Sequence, residues 1–226
     1  MAERRLESVP EDFPAVDGRV PGRRGKATRD RLLRCTSELL EKTSYRDLAV
    51  SDIAQCAGTS PATFYQYFED VEAAVLVLAR ALADEGPALT AIIEGGDWRG
   101  RDGYGAAMSL VDAVLDLWER HRAVLRVVDL STAEGDMRFQ NVRTHLLNEV
   151  TESLRRVIEQ GGGPRDRRRP RDVDPMAQAA ALVSMLVHVA AHRYGFEFWG
   201  IRTEAIRRSV AGLVYSGVTG RPAPRV

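Results

Sequence analysis

Apolar residues recur every three to four positions along most of this chain, a spacing typical of amphipathic helices. The pattern is clearest where Leu110, Val114 and Leu117 follow one another. Helices are predicted near residues 26–42, 71–85, 103–120, 136–160, 174–193 and 202–217. Because no alternating pattern of a half-buried strand competes with these helices, we expect an all-α fold.

Two of the predicted helices are apolar on more than one side. In the helix near 103–120, Val111, Leu115 and Trp118 form a second stripe, and the segment 177–191 is apolar almost all round. Such a helix has to be buried in a core or against another subunit. We therefore predict a homodimer formed through the last two helices.

The most informative stretch covers residues 48–68, with the sequence LAVSDIAQCAGTSPATFYQYF. Gly58 suits a tight turn, and Ser60 followed by Pro61 is a typical N-cap and first-turn pair. The stretch therefore predicts a short helix, a turn and a second helix. That second helix would bury Phe64 and expose short polar groups and tyrosines, which suits entry into the major groove of DNA.

These residues resemble the TetR family of transcriptional repressors. The segment 53–73 combines Ile-Ala, Ala-Gly, Ser-Pro, Tyr-x-x-Phe and an acidic start of the fourth helix. The resemblance implies an N-terminal helix-turn-helix three-helix module followed by a larger helical ligand-binding and dimerisation domain. We expect a flexible basic arm at 1–24, the DNA-binding domain at 25–70, the ligand-binding and dimerisation domain at 71–218, and a tail at 219–226.

The resemblance also implies which residues contact DNA. The residues nearest the bases are expected to be Thr59, Ser60, Ala62, Thr63 and Gln66, with Tyr65 and Tyr67 on phosphates. Further expected contacts are Arg23, Arg24, Lys26, Thr28 and Ser51. Two residues depart from the family pattern: Ala49 replaces a helix-capping Thr, a change that costs about 1 kcal/mol, and Val71 replaces a common Lys.

Charge is unevenly distributed, although basic and acidic residues both total 32. Residues 19–34 carry seven basic residues against one acidic residue, whereas residues 35–70 carry two basic against six acidic. Each neutralised phosphate releases counterions and so adds to affinity. We therefore hypothesise that the basic arm supplies much of the affinity for DNA, although charge runs are often simply solvated.

In the family, the C-terminal helices hold a small-molecule pocket, and the fourth helix links that pocket to the DNA-reading module. Residues that offer an apolar lining with a few polar groups are Met108, Val111, Leu115, Trp118, Phe139, Val142, Met185 and His188. Each of them is more often an ordinary core residue than a ligand contact. The effector itself is not identified by the sequence.

Other candidate sites are weaker. His188 and His192 share a helix face but lack a third metal ligand, so we predict no metal and no cofactor. Cys35 and Cys56 are interpreted as small buried thiols that form no disulfide framework. The arginines of the loop 161–170 are expected to be solvated, with a phosphorylated or acyl-coenzyme ligand or a DNA backbone as alternatives. The aromatic residues Phe196, Phe198 and Trp199 are expected to pack at the junction of the last two helices.

The sequence therefore predicts a cytoplasmic, DNA-binding transcriptional regulator. It would be a repressor that a small apolar or amphipathic ligand releases from a pseudo-palindromic operator. An enzyme using a helical cavity and a dimerising adaptor that does not bind DNA are the alternatives. We expect no enzyme, because no Ser/His/Asp arrangement, phosphate-binding glycine loop or metal frame is present. No membrane partner is expected, because no uninterrupted apolar run reaches the roughly 18 residues of a spanning helix.

Deletion of residues 1–24 tests the role of the basic arm. We expect the truncated protein to show a flatter dependence of operator affinity on salt concentration, because fewer phosphates are neutralised. The measurement is a DNA-binding titration at several salt concentrations, with the full chain as the reference. An unchanged slope would contradict the hypothesis.

Overall fold

A computed structural model describes residues 22–161 and 173–224, and this part of the chain consists of helices without strands. The helices are α1 (Arg23–Leu40), α2 (Val50–Cys56), α3 (Pro61–Tyr67), α4 (Val71–Ala83), α5 (Gly86–Gly95), α6 (Gly100–Ala133), α7 (Met137–Gly161), α8 (Pro175–Glu197) and α9 (Thr203–Thr219). A short 3-10 helix, Tyr45–Asp47, lies between α1 and α2. The predicted all-α fold is confirmed.

The first of two compact units contains the described residues up to 84 together with 122–143. In this unit α1 packs on α2 and on α4, and α2 packs on α3. Leu32, Ile53 and Phe64, one from each of the first three helices, are all completely buried. The unit is therefore held together by one apolar core to which every short helix contributes.

The second compact unit contains residues 85–121 and 144–224, and in it α8 packs on α9. An ion pair joins α9 to α6, because Arg207 donates from Nε and Nη2 to the Asp112 carboxylate at 2.5 and 2.6 Å. The hydrogen bonds to Asp112 raise the pKa of Arg207 despite some desolvation. The bidentate geometry fixes the two helices in register as well as adding attraction.

Helix α6 runs through both units and contains one residue with non-helical dihedral angles, His121 (φ −120°, ψ 19°). The break lies next to the carboxylate of Glu85, which follows α4. Glu85 accepts from Arg120 Nη1 at 2.7 Å, and its other oxygen lies 2.6 Å from His121 Nε2. The residue at which α6 leaves the second unit is therefore also the position of a kink, and it belongs to a charged cluster with Glu85 and Arg120.

Several helix boundaries differ from the sequence predictions. Helix α1 begins at Arg23, inside the segment predicted as a flexible arm, while residues 1–21 of that arm lie outside the described residues. Helix α5 and the part of α6 beyond His121 were not predicted. The first compact unit also includes α4, beyond the predicted DNA-binding segment 25–70. The functional domain limits stay a prediction, because compactness does not show which residues bind DNA or ligand.

The expected aromatic packing after α8 is wrong for two residues. Phe198 is 88% exposed and Trp199 is 70% exposed, whereas Phe196 is half-buried with its ring 6.2 Å from that of Trp199. The chain turns directly after them at Gly200, which has a φ of +72°. The junction of the last two helices therefore carries an exposed aromatic surface.

Helix α8 is also long and apolar enough to span a membrane by length and composition, with a mean hydropathy of 1.2. We expected no segment to be apolar enough to span a membrane, because Ser184 and His188 interrupt the apolar run. These two residues lower the mean hydropathy but do not bring it below that of a spanning helix. Only 28% of the apolar window is buried. Val183, Leu186 and Val187 are buried in one protomer, whereas Met176 and Ala180 are exposed.

Substitution of Gly58 tests the backbone requirement of the turn. Gly58 has a φ of +63°, and a Cβ there would meet nothing within 4 Å, so Gly58→Ala should destabilise the protein by about 1 kcal/mol through the backbone alone. Gly105→Ala adds the same methyl group in open space inside α6 and should stabilise it by up to about 1 kcal/mol. Urea unfolding measures both. Equal effects of the two substitutions would show that the turn does not need glycine.

Candidate nucleic-acid interface

The turn between α2 and α3 is closed by backbone hydrogen bonds. Ala57 donates to the carbonyl of Ile53 at 2.9 Å, and Thr59 donates to the carbonyl of Ala54 at 2.9 Å. Gly58 takes the left-handed conformation that lets both bonds form. The helix-turn-helix predicted around Gly58 is therefore present in the structure.

Helix α3 begins with a complete N-terminal cap. The Ser60 hydroxyl accepts from the backbone N–H of Thr63 at 3.2 Å, its oxygen lies 3.1 Å from the Thr63 hydroxyl, and Pro61 occupies the first turn. Helix α2, in contrast, has Ala49 as its N-cap and no side-chain hydrogen bond there. The expected loss of a hydroxyl cap on α2 is therefore confirmed.

The two sides of α3 differ sharply in burial. Phe64 is completely buried and Phe68, just after the helix, is 3% exposed. The guanidinium of Arg29, from α1, lies over the Phe68 ring at 5.8 Å, and burial lowers the pKa of Arg29. On the other side Tyr65 is 52% exposed. Ala62 and Gln66 are also exposed, while Thr59, Thr63 and Tyr67 are half-buried. Burial of its apolar side therefore fixes the orientation of α3, and its polar side remains accessible to solvent.

The other predicted DNA contacts lie in the same compact unit. Arg23 and Arg24 are exposed in the first turn of α1, which contains no acidic residue. The Thr28 hydroxyl donates to the carbonyl of Arg24 at 3.2 Å, so it is already engaged within α1. Lys26 is half-buried, and Ser51 is exposed at the start of α2. The structure therefore brings all twelve candidates into one unit, and their contacts with DNA stay a prediction.

The two cysteines form a disulfide in the structure, which corrects the interpretation as independent buried thiols. The bond joins Cys35 of α1 to Cys56, the last residue of α2, with Cα atoms 5.8 Å apart. Cys35 is 1% exposed, whereas Cys56 is exposed. The two positions are 21 residues apart in sequence, and only the packing of α1 on α2 brings them together.

The predicted effector contacts are spread over both units. Val111, Leu115 and Trp118 are buried in the second unit, whereas Phe139 and Val142 are buried in the first. Met108 and Met185 are half-buried and His188 is exposed. The His188 and His192 rings stack at 4.2 Å, and no group of three potential metal ligands among the described residues includes them. The arginine-rich part of the loop 161–170 lies outside the described residues from 162 onward.

One of these candidates has an unsatisfied donor. Trp118 is 4% exposed, and its indole Nε1 has no hydrogen-bond partner among the described residues. A buried donor without a partner costs about 1–3 kcal/mol. A ligand with an oxygen acceptor at this point would remove that penalty.

A cavity of about 610 Å³ lies within the second unit, at a place that the sequence analysis missed. Its walls come from the end of α5, the segment before α6, and the ends of α7 and α9. Lining residues are Ile93, Glu94, Trp98, Arg99, Ser153, Arg156, Val157 and Val218, among others. None of the eight predicted effector residues lines it. Since its parts come from distant segments, no local pattern in the sequence indicates it.

Several polar side chains that line this cavity are hydrogen-bonded or ion-paired with one another. Ser153 is 1% exposed, donates to Glu94 at 3.1 Å and accepts from Arg156 at 2.8 Å, while Arg156 also pairs with Glu94. Ile93 and Val218 provide buried apolar surface opposite these groups. The volume and the mixture of apolar and polar groups are typical of small-molecule sites.

Comparison with known families matches both parts of the chain. Residues 32–73 match the model described as bacterial regulatory proteins, tetR family. Residues 89–225 match the model described as tetracyclin repressor-like, C-terminal domain, which covers more than half of the sequence. No curated protein matches the chain.

Solved structures similar to this chain share its fold over most of both lengths. A transcriptional regulator FadR from Bacillus subtilis, in complex with stearoyl-CoA, is 16% identical over 83% of this chain and 98% of its own, with a TM-score of 0.63. A structure described as a TetR-family regulator from Mesorhizobium loti is 16% identical over 88% and 98%, also with a TM-score of 0.63. The regulator PfmR from Thermus thermophilus is 24% identical over 83% and 98%, with a TM-score of 0.55.

Proposed function

This chain belongs to the TetR family of bacterial transcriptional regulators, and on that premise we propose that it is a homodimeric repressor released from its operator by a small apolar or amphipathic ligand. The observation that carries the proposal is the two-sided burial of α3. Phe64 is locked in the core while Tyr65 and Gln66 face outward from the same helix. A capped, well-packed helix with an open polar side is suited to reading base edges in a groove.

The contacts with DNA are proposed to divide into two kinds. Thr59, Ala62, Thr63 and Gln66 would read bases from the start of α3, while Tyr65 and Tyr67 would bind phosphates. Arg23 and Arg24 would add phosphate contacts from α1, because their side chains have no partner among the described residues and no acidic neighbour in that turn. Cations at a helix N-terminus are unfavourable by themselves, and a nearby phosphate would relieve this.

The partner surface is proposed to be formed by α8 and α9 of two copies. Leu213 of α9 is 56% exposed and Met176 of α8 is 39% exposed, and the exposed Phe198 and Trp199 follow α8. A second copy covering this surface would account for the apolar exposure of α8 without any membrane, which fits a regulator that acts on DNA in the cytoplasm. Two α3 helices would then face half-sites about 34–36 Å apart on a pseudo-palindromic operator.

The effector is proposed to bind in the second unit. The cavity of about 610 Å³ supports a ligand that combines apolar and polar groups. The unsatisfied Trp118 donor does not line that cavity and is a separate candidate contact for a hydrogen-bond acceptor. The stearoyl-CoA bound by the B. subtilis regulator is an amphipathic molecule of that general class. Release requires that the ligand bind more tightly to the conformation unable to hold both half-sites. Helix α4, which ends where the second unit begins, is the proposed link.

A gel shift with the promoter of the protein's own gene tests the proposal as a whole. We expect a shifted complex that forms with the purified dimer and is lost when an effector is added. A dimer that binds no DNA would instead favour the adaptor, and turnover of a small molecule in the cavity would favour an enzyme. Either result would overturn the proposed function.

Two substitutions on α3 separate base contacts from phosphate contacts. Tyr65→Ala should weaken binding to all sequences by about tenfold, because a hydrogen bond to a charged phosphate is lost. Thr63→Ala should instead change the preferred base at one position of each half-site. Binding to a library of operator variants measures both. Tyr65→Phe is the matched control, since it keeps the ring and removes only the hydroxyl. The assignment fails if Tyr65→Phe binds as tightly as the unsubstituted protein.

Leu213→Glu tests the dimer surface. The side chain is 56% exposed, so the folded protomer should tolerate the change, while a charge inside an apolar interface should prevent association. Sedimentation should show a 25.0 kDa monomer with much reduced operator affinity. Met137→Glu is the control, because Met137 is 60% exposed in the other compact unit. A dimer that survives Leu213→Glu would place the interface elsewhere.

A further inference from the structure

The disulfide between α1 and α2 requires no distortion of the helices that carry it. The Cα atoms of Cys35 and Cys56 are 5.8 Å apart, within the range that a disulfide bridges without backbone movement. The packing of α1 on α2 sets this distance through Leu32, Leu33 and Ile53, all completely buried. The same packing would hold the two sulfurs next to each other if the bond were reduced. The chain contains no other cysteine that could compete within the molecule.

A disulfide in a protein that acts on DNA needs an explanation. The bacterial cytoplasm keeps thiols reduced, and disulfides that form there are usually transient and redox-sensing. We propose that Cys35 and Cys56 are a reversible oxidation site, and that formation of their disulfide raises operator affinity by fixing the DNA-binding unit. The inference rests on the proposed function, which places the protein in the cytoplasm and on DNA. It adds regulation by oxidation to the proposed regulation by a ligand.

The two cysteines differ in exposure, and the more exposed one is expected to react first. Cys56 is exposed at the end of α2, whereas Cys35 is 1% exposed, so oxidants and reductants reach Cys56 first. A carboxylate oxygen of Glu38 lies within 4.8 Å of both sulfurs. A thiolate formed here would meet a like charge, which slows its reaction.

With a peroxide as oxidant, the reaction balances in two steps. The Cys56 thiol first loses its proton, and the thiolate attacks one peroxide oxygen. The O–O bond breaks, Cys56 becomes a sulfenic acid, and the hydroxide that leaves takes up the lost proton to form water. The Cys35 sulfur then attacks the Cys56 sulfur, the S–S bond forms, and the hydroxyl group leaves as a second water with the thiol proton. Both sulfurs are oxidised by one electron each and the peroxide is reduced by two. A dithiol reverses this reaction in two exchanges. One of its sulfurs attacks Cys56 and releases Cys35 as a thiol, and its second sulfur then displaces Cys56, so that the dithiol leaves as its own disulfide.

The bond acts on the element that carries α3. It ties the last residue of α2 to α1, immediately before the turn at Gly58 that leads into the recognition helix. Conformations in which α2 and α3 move away from α1 are removed, mostly from the unfolded and partly opened states. A DNA-binding unit that is already held in its binding conformation loses less conformational entropy when it binds DNA. The oxidised protein is therefore both harder to unfold and the tighter binder.

The experiment compares full-length protein treated with hydrogen peroxide and with dithiothreitol. After peroxide we expect no free thiols, an intramolecular bond identified by peptide mass, and a melting temperature about 5–10 °C above that of the reduced protein. Operator affinity should be about threefold or more higher in the oxidised form. Cys56→Ser should melt at one temperature under both treatments, and its affinity should not depend on reductant.

A second pair of variants tests the surroundings of the sulfurs. Glu38→Gln should speed disulfide formation by peroxide several-fold, since the like charge is removed. Glu41→Gln, at the residue that follows α1, should leave the rate unchanged. Free thiols that persist after peroxide, bonds only between molecules, or equal operator affinity in the two forms would each overturn the inference. Thiol counts and melting temperatures need no DNA, so a failure of the redox site is distinguishable from a failure of the proposed function.

Discussion

The apolar packing behind α3 is the constraint on which the DNA-binding surface depends. A helix of seven residues, Pro61–Tyr67, is far too short to be stable by itself in water. It exists because Phe64 is completely buried, because α3 packs on α2, and because Ser60 caps its start. The exposed polar side is a consequence of that burial, since fixing one side of a helix fixes the direction of the other.

Paired charges occur in both compact units. Arg46 pairs with Glu134 in the first unit, and Arg207 pairs with Asp112 in the second. The first turn of α1 differs, because its arginines have no acidic residue beside them. Paired charges position helices, whereas the arginines of this turn remain available to a partner.

Sequence reasoning succeeded where the physical signal is local. The capping of α3 by Ser60, the turn at Gly58 and the missing cap at Ala49 all depend on neighbouring residues, and the structure contains each of them. It did not predict α5, whose first two residues are a glycine and a proline. It also failed for Phe198 and Trp199, because the apolar character of a residue does not say whether a neighbour covers it.

The helical spacing, the helix-turn-helix and the family can be read from the residues alone, because they follow from residue types within a few turns of one another. Three other features come from the three-dimensional packing: Cys35 meets Cys56, Glu94 and Arg156 form one wall of a cavity, and α6 breaks at His121. These features join segments that are far apart in the chain. Their distances are set by how buried side chains fit together across helices, and a one-dimensional pattern does not contain that fit.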